Sequence, residues 1–162
     1  MHVEHDALYR DPASDTTAAR AEVARACREL PPGSAVGQLR DFCGRIWEIL
    51  HTPTQAALYR LWVTEAPRDI KLARFYSEEV YKPIHGLMVE IIVRGIASGE
   101  FRAIPPDVAA RVILAALIEQ AFWCNHAETL GPGGRGGCNR VITETLTVVL
   151  GGLQASSHDS TL

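Results

Sequence analysis

Two short clusters in the sequence place metal-ligating side chains within one helical turn. Glu48 and His51 have the Glu-x-x-His spacing with which helix bundles hold a pair of iron or manganese ions. That chemistry needs a second copy of the motif and two further inward glutamates. No second copy is found, so the pair reads as an exposed helix end. Cys124 and His126 offer a thiolate and an imidazole. Without further ligands at a metal spacing, they read as a helix C-terminus with a buried cysteine. The glycine-rich stretch 131–137 neither follows a strand nor carries Gly-Lys-Ser/Thr, so it is a linker rather than a phosphate loop. Ser77 and Ser98 have no base at a useful spacing. Catalysis is not indicated, and no cofactor is implied.

A different chemistry is suggested by aromatic residues spread over several segments. Trp47, Tyr59, Trp62, Phe75, Tyr76, Met88, Phe122 and Trp123, with His85 as the polar member, are the side chains from which an apolar ligand pocket would be built. Drug-sized cavities are mostly apolar with a few convergent polar groups. For each aromatic residue the competing reading is plain core packing. For His85 it is a core histidine bonded to a backbone carbonyl, such as that of Glu79.

Those residues have to be positioned by helices. The organising stretch runs from Ala57 to Arg102. Within it Ala73, Tyr76, Val80, Ile84, Leu87, Ile91 and Gly95 recur in steps of three or four, one continuous apolar stripe. Gly99 stands where a left-handed residue ends the helix. Pro83, inside the helix, removes a donor from the Glu79 carbonyl and predicts a kink.

Four more helices and a weak first one surround it. A first helix is expected over Thr16 to Leu30. A second, capped by Ser34, runs to about His51, with Leu39, Phe42, Cys43, Ile46, Trp47 and Leu50 on one side. Thr52-Pro53 opens a third that ends at Pro67 and buries Ala56, Leu58 or Tyr59, Leu61, Trp62 and Val63. Pro105-Pro106-Asp107 starts a fifth, to about His126, apolar nearly all round; such a helix needs cover on every side. One side on the core and the other on a second subunit would satisfy it. A last helix, about Asn139 to Leu153, carries Ile142, Leu146, Val149 and Leu153 on one stripe, with Val141 and Val148 on its flank. No stretch alternates like a strand. The expected fold is therefore all-α, with residues 1–14 irregular, 15–153 one helical domain and 154–162 a disordered tail.

Composition bounds the rest. The chain has 162 residues, 47% hydrophobic and 22% charged, with a net charge of −3. One domain with a real core is expected. Its arginines are scattered rather than gathered, which is not a nucleic-acid footprint. The N-terminus carries His2, Glu4, His5 and Asp6 instead of a signal peptide, and the longest apolar run contains Arg111. No membrane association and a cytoplasmic location are expected. The four cysteines, without CxxC spacing, read as reduced, mostly buried thiols.

The runs LYRLWVTEAPR, KLARFYSEEVYKPIHGLMVEIIVRGIASGEFR and PPDVAARVILAALIEQAFW resemble the C-terminal domain of TetR-family transcriptional regulators, over about Ser34 to Leu153. The resemblance rests on a diffuse run of residue types. It implies an all-helical domain that binds a small apolar or aromatic effector and forms a homodimer through its last two long helices. Val112, Ala116, Ile142, Leu146 and Val149 would lie at that interface. Residues Ala7 to Arg10, with Ser14-Asp15, resemble the end of the family's recognition helix and the start of the next. DNA is then a partner only where a helix-turn-helix lies upstream. The alternatives are a helical-bundle metal protein or enzyme using Glu48, His51, His85 or His126, and an interaction module that forms mixed dimers.

Overall fold

The structure, a computed structural model, describes Arg25 together with residues 33–125 and 134–155. Apart from the helical Arg25, the expected first helix lies outside the described residues, as do His126 and the start of the glycine-rich stretch. So does the tail beyond Ala155.

Among the described residues six α-helical segments follow in order: α1 (Ala35–Leu50), α2 (Pro53–Glu65), α3 (Ile70–Tyr76), α4 (Lys82–Ala97), α5 (Pro106–Asn125) and α6 (Gly134–Leu153). A π-helical turn, Ser77–Tyr81, joins α3 to α4. No strand is present among the described residues, only an isolated bridge between Phe101 and Gln154. The fold is all-α.

Local chemistry sets the boundaries. Ser34 accepts from the Gly37 amide and caps α1, Thr52 accepts from the Gln55 amide ahead of Pro53, and Asp69 accepts from the Lys71 and Leu72 amides. Gly99, at φ 78°, ends α4, and the Gly99 and Phe101 amides donate to the Ile96 and Gly95 carbonyls.

The core joins α1, α4, α5 and α6. Leu39, Phe42 and Cys43 of α1 meet Met88, Ile91 and Ile92 of α4, Ala110, Ile113, Leu114 and Leu117 of α5, and Ile142, Leu146 and Leu150 of α6. Burial pushes the Cys43 thiol up to about 12. Helix α2 is peripheral: Leu61 and Val63, expected inside, are exposed, and none of its described side chains is fully buried. Its apolar residues point several ways, so no single face can be covered.

The proline site, the last helix and the apolar fifth helix take the following forms. At Pro83 the chain adopts a π turn: the Lys82 amide reaches back to the Ser77 carbonyl, and the wider turn brings the proline in at the start of α4, where a missing N–H is tolerated. The last helix begins at Gly134 rather than Asn139, so glycines 134, 136 and 137 are helical. Helix α5 is not covered evenly; Val108, Val112, Ala115, Glu119 and Trp123 form an exposed stripe. The bulk that sequence spreads round the helix is divided by packing into a buried and an open side.

Candidate ligand cavity and an adjoining His–Cys cluster

A cavity of about 260 Å³ lies beneath the π turn. Helix α1 contributes Ile46, Ile49 and Leu50, and α5 closes it with Leu114 and Ile118. The remaining wall is the organising helix itself: Tyr76, then Glu79, Val80 and Tyr81 of the π turn, then Pro83, Ile84 and Leu87 of α4. Gln55 comes from α2. The lining is apolar apart from Gln55, Glu79 and the two tyrosines. Its volume falls at the small end of the roughly 300–1,000 Å³ of drug-sized sites.

The π turn shapes this wall. It adds a residue to one turn, and Glu79, Val80 and Tyr81 of that turn all border the cavity. Tyr76 stacks on Trp62 at 4.7 Å and 22°. Burial, helped by the nearby Tyr59, raises its phenol to about 12, so it stays a neutral donor at the edge of the cavity.

Of the residues singled out for a pocket, Tyr76 alone lines this cavity. The other aromatics form a ladder beside it. Trp62 bridges Tyr76 and Tyr59, Tyr59 meets Phe122 at 6.0 Å, and Phe122 meets Trp123 at 5.7 Å. Tyr59 and Phe122 border a second gap of about 10 Å³, room for one water. Trp123 is exposed and its indole donates to Glu119 at 2.6 Å. Phe75 is exposed over a shallow hollow with Ile70 and Glu78. Met88 is fully buried in the core, and Trp47 is buried against the His51 ring at 4.0 Å. His85 stacks on Tyr81 and hydrogen-bonds through Nε2 to the Asp107 carbonyl at 3.1 Å. Its partner is thus a carbonyl on α5 rather than that of Glu79.

The aliphatic lining was readable as the stripe Tyr76, Val80, Ile84 and Leu87. Large aromatics drew the pocket reading elsewhere because size does not tell whether a ring fills space or borders it. Of the residues expected at a dimer interface, Val112 is exposed and Ala116 and Val149 are half-buried. Ile142 and Leu146 are buried within the subunit.

One constellation escaped the spacing argument. The His51 ring and the thiols of Cys124 and Cys138 present ligand atoms within 4.8 Å of one another. His51 ends α1, Cys124 lies in the last turn of α5 and Cys138 in the first turns of α6, so tertiary packing alone unites them. His51 is half-buried rather than an exposed helix end, while Glu48 is exposed and not part of the cluster. The Cys124 thiol is pushed up to about 12 by burial and by its hydrogen bond with Cys138.

Among the described residues no helix is long and apolar enough to cross a membrane. Residues 30–129 match the model of a family described as tetracyclin repressor-like, C-terminal domain. No curated protein is found that matches the chain.

Proposed function

The chain belongs to the tetracyclin repressor-like C-terminal domain family, and from that premise we propose that it binds a small, largely apolar effector in the cavity beneath the π turn. The family supports a regulator's effector-binding and dimerisation domain in general. The observation that carries the finer reading is the cavity itself, an apolar chamber with Gln55, Tyr76, Glu79 and Tyr81 as its few polar groups. A ligand with an aliphatic or aromatic body and one hydrogen-bonding group facing Tyr76, Glu79 or Gln55 fits it. The aromatic ladder backs Tyr76 through its stack on Trp62.

The proposed partner is a second copy. The exposed stripe of α5, with Val112 at 56%, and Val148 of α6, at 75%, leave apolar surface that a dimer would cover. This differs from the sequence-based interface at Ile142 and Leu146, whose side chains the subunit's own core occupies. Where such a domain is joined to a DNA-reading head, effector binding alters DNA affinity by the ligand's preference for one arrangement of helices and no more.

Titration with the apolar fluorophore N-phenyl-1-naphthylamine tests the site. Saturable enhancement is expected, abolished by Leu87→Phe, which fills the cavity. Enhancement unchanged in that variant would overturn the site. For the dimer, Val112→Glu and Val148→Glu should convert a dimer to a folded monomer by light scattering. A wild-type monomer at micromolar concentration would sink the dimer reading.

A further inference from the structure

We propose that His51, Cys124 and Cys138 form a binding site for one thiophilic d10 metal ion, Zn²⁺ or Cu⁺, at the point where α1, α5 and α6 meet. The histidine is the first of these ligands. Its Nδ1 lies 3.1 Å from the Trp47 carbonyl, and a carbonyl only accepts, so Nδ1 carries the proton. In the neutral ring this leaves a bare lone pair on Nε2. That atom is buried and has no hydrogen-bond partner among the described residues. Buried nitrogens without partners are rare and call for an explanation such as an ion. A metal-bound histidine ordinarily donates its other ring N–H to a carbonyl or carboxylate, the arrangement present here.

The donor set fits the same ion. Two sulfurs and one imidazole nitrogen suit Zn²⁺ and Cu⁺ and disfavour Mg²⁺ or Ca²⁺, which take oxygen ligands. Atoms within 4.8 Å of one another need only a small inward movement to reach metal–sulfur and metal–nitrogen bonds of about 2.3 and 2.0 Å. Cys43 is not part of the cluster. Binding replaces two S–H protons by the metal, and both protons leave to solvent. With Zn²⁺ the three protein ligands leave a fourth position for water, whereas Cu⁺ is satisfied by three. The site adjoins the cavity through Leu50, which precedes His51 and lines the chamber, so a bound ion would fix one wall of it. The metal reading does not depend on the effector reading, since it rests on other side chains.

The test uses the whole chain, reduced, stripped with a chelator and kept anaerobic. Co²⁺, the spectroscopic stand-in for Zn²⁺, should produce thiolate-to-metal charge-transfer absorption and tetrahedral d–d bands that saturate at one equivalent per chain and are bleached by Zn²⁺. Cu⁺ presented from a chromophoric chelator forms the second arm, and the tighter competitor identifies the preferred ion. Trp47, packed on the His51 ring, should lose fluorescence in step with either metal. Cys124→Ser and His51→Gln should each weaken binding by more than the roughly 10–100-fold that loss of an outer-shell partner costs. Cys43→Ser should leave it unchanged. If Cys124→Ser loses its helical circular dichroism, His51→Gln alone decides. Failure of both arms, no cobalt charge-transfer band and no transfer of Cu⁺ from the chelator while both thiols remain titratable, would overturn the proposal. So would binding that survives in His51→Gln, or thiol trapping in cells that finds Cys124 and Cys138 joined as a disulfide.

Discussion

The organising helix carries one apolar stripe whose two halves behave in opposite ways. In its last turns Ile91, Ile92 and Gly95 are buried with no space left. A methyl placed on Gly95 would lie 2.1 Å from the Phe101 ring and 2.9 Å from Ala35. In its first turns Tyr76, Val80, Ile84 and Leu87 face the 260 Å³ cavity instead. Periodicity is the same in both; what differs is the partner. The closed half meets the start of α1 and the Gly99–Arg102 turn, pinned where the Arg102 amide donates to Leu153 and the Ala155 amide to Glu100. The open half meets the end of α1 across a π turn that holds it apart. A stripe thus says which face is apolar, while the approach of neighbouring backbone decides whether that face packs or encloses.

Removing or adding bulk should separate the halves. Phe101→Ala empties the closed half and should destabilise by about 3–5 kcal/mol in urea unfolding. Gly95→Ala should cost about 1–3 kcal/mol through overpacking, despite a gain in helix propensity of up to about 1 kcal/mol. In the Phe101→Ala background the Gly95→Ala cost should shrink sharply, since most of the clash is with that ring. Equal costs in both backgrounds would show that the close approach is not what matters.

The alkaline limb probes the open half. The folded Tyr76 phenol is raised from 10.0 to about 12, so the neutral form is favoured by folding. Its contribution is complete below about pH 10. As pH rises toward 12 the unfolded chain ionises first, and at most about 2–3 kcal/mol is lost. Tyr76→Phe should lose less stability than wild type over that window, measured by urea midpoints at each pH. Parallel curves would mean the phenol is open to water. Leu87→Phe should then change stability by less than about 1.5 kcal/mol. Added ring atoms in the open half would so cost no more than one methyl in the closed half.

Much of this was legible in the sequence, for identifiable reasons. Ser34, Thr52-Pro53 and Gly99 marked helix ends because capping is local chemistry between residues a few positions apart. The stripe was visible because helix periodicity is local too. The π turn was not: Pro83 announces a lost donor, but kink and widened turn both answer it. Glycines 134, 136 and 137 looked like a linker because helix propensity disfavours them, yet Cys138, Ile142 and Leu146 downstream anchor the helix in the core. The His51, Cys124 and Cys138 cluster was invisible because no two of its members share an element. Spacing rules see ligands within a turn, and this cluster is made by three helices converging.

The smallest effect concerns how the closed half is fastened. The Glu100 carboxylate accepts from the Ala35 amide at 3.0 Å, the Val36 amide at 3.3 Å and the Ser98 hydroxyl at 3.0 Å, standing at the N-terminus of α1 where a negative charge is favoured. The Ala35 bond above all, with those from Val36 and Ser98 outweighing desolvation alongside it, holds its carboxyl below the usual value of 4.5. A carboxyl depressed by folding stabilises the protein above its unfolded value, and that contribution is lost as pH falls through the folded one. Glu100→Gln keeps the shape but removes the charge. Its melting temperature should lie slightly below wild type at neutral pH, and the gap should close as the solution is acidified below about 4.5. A gap that stays constant with pH would assign Glu100 a purely steric role and leave the ring and glycine contact as the closed half's fastening.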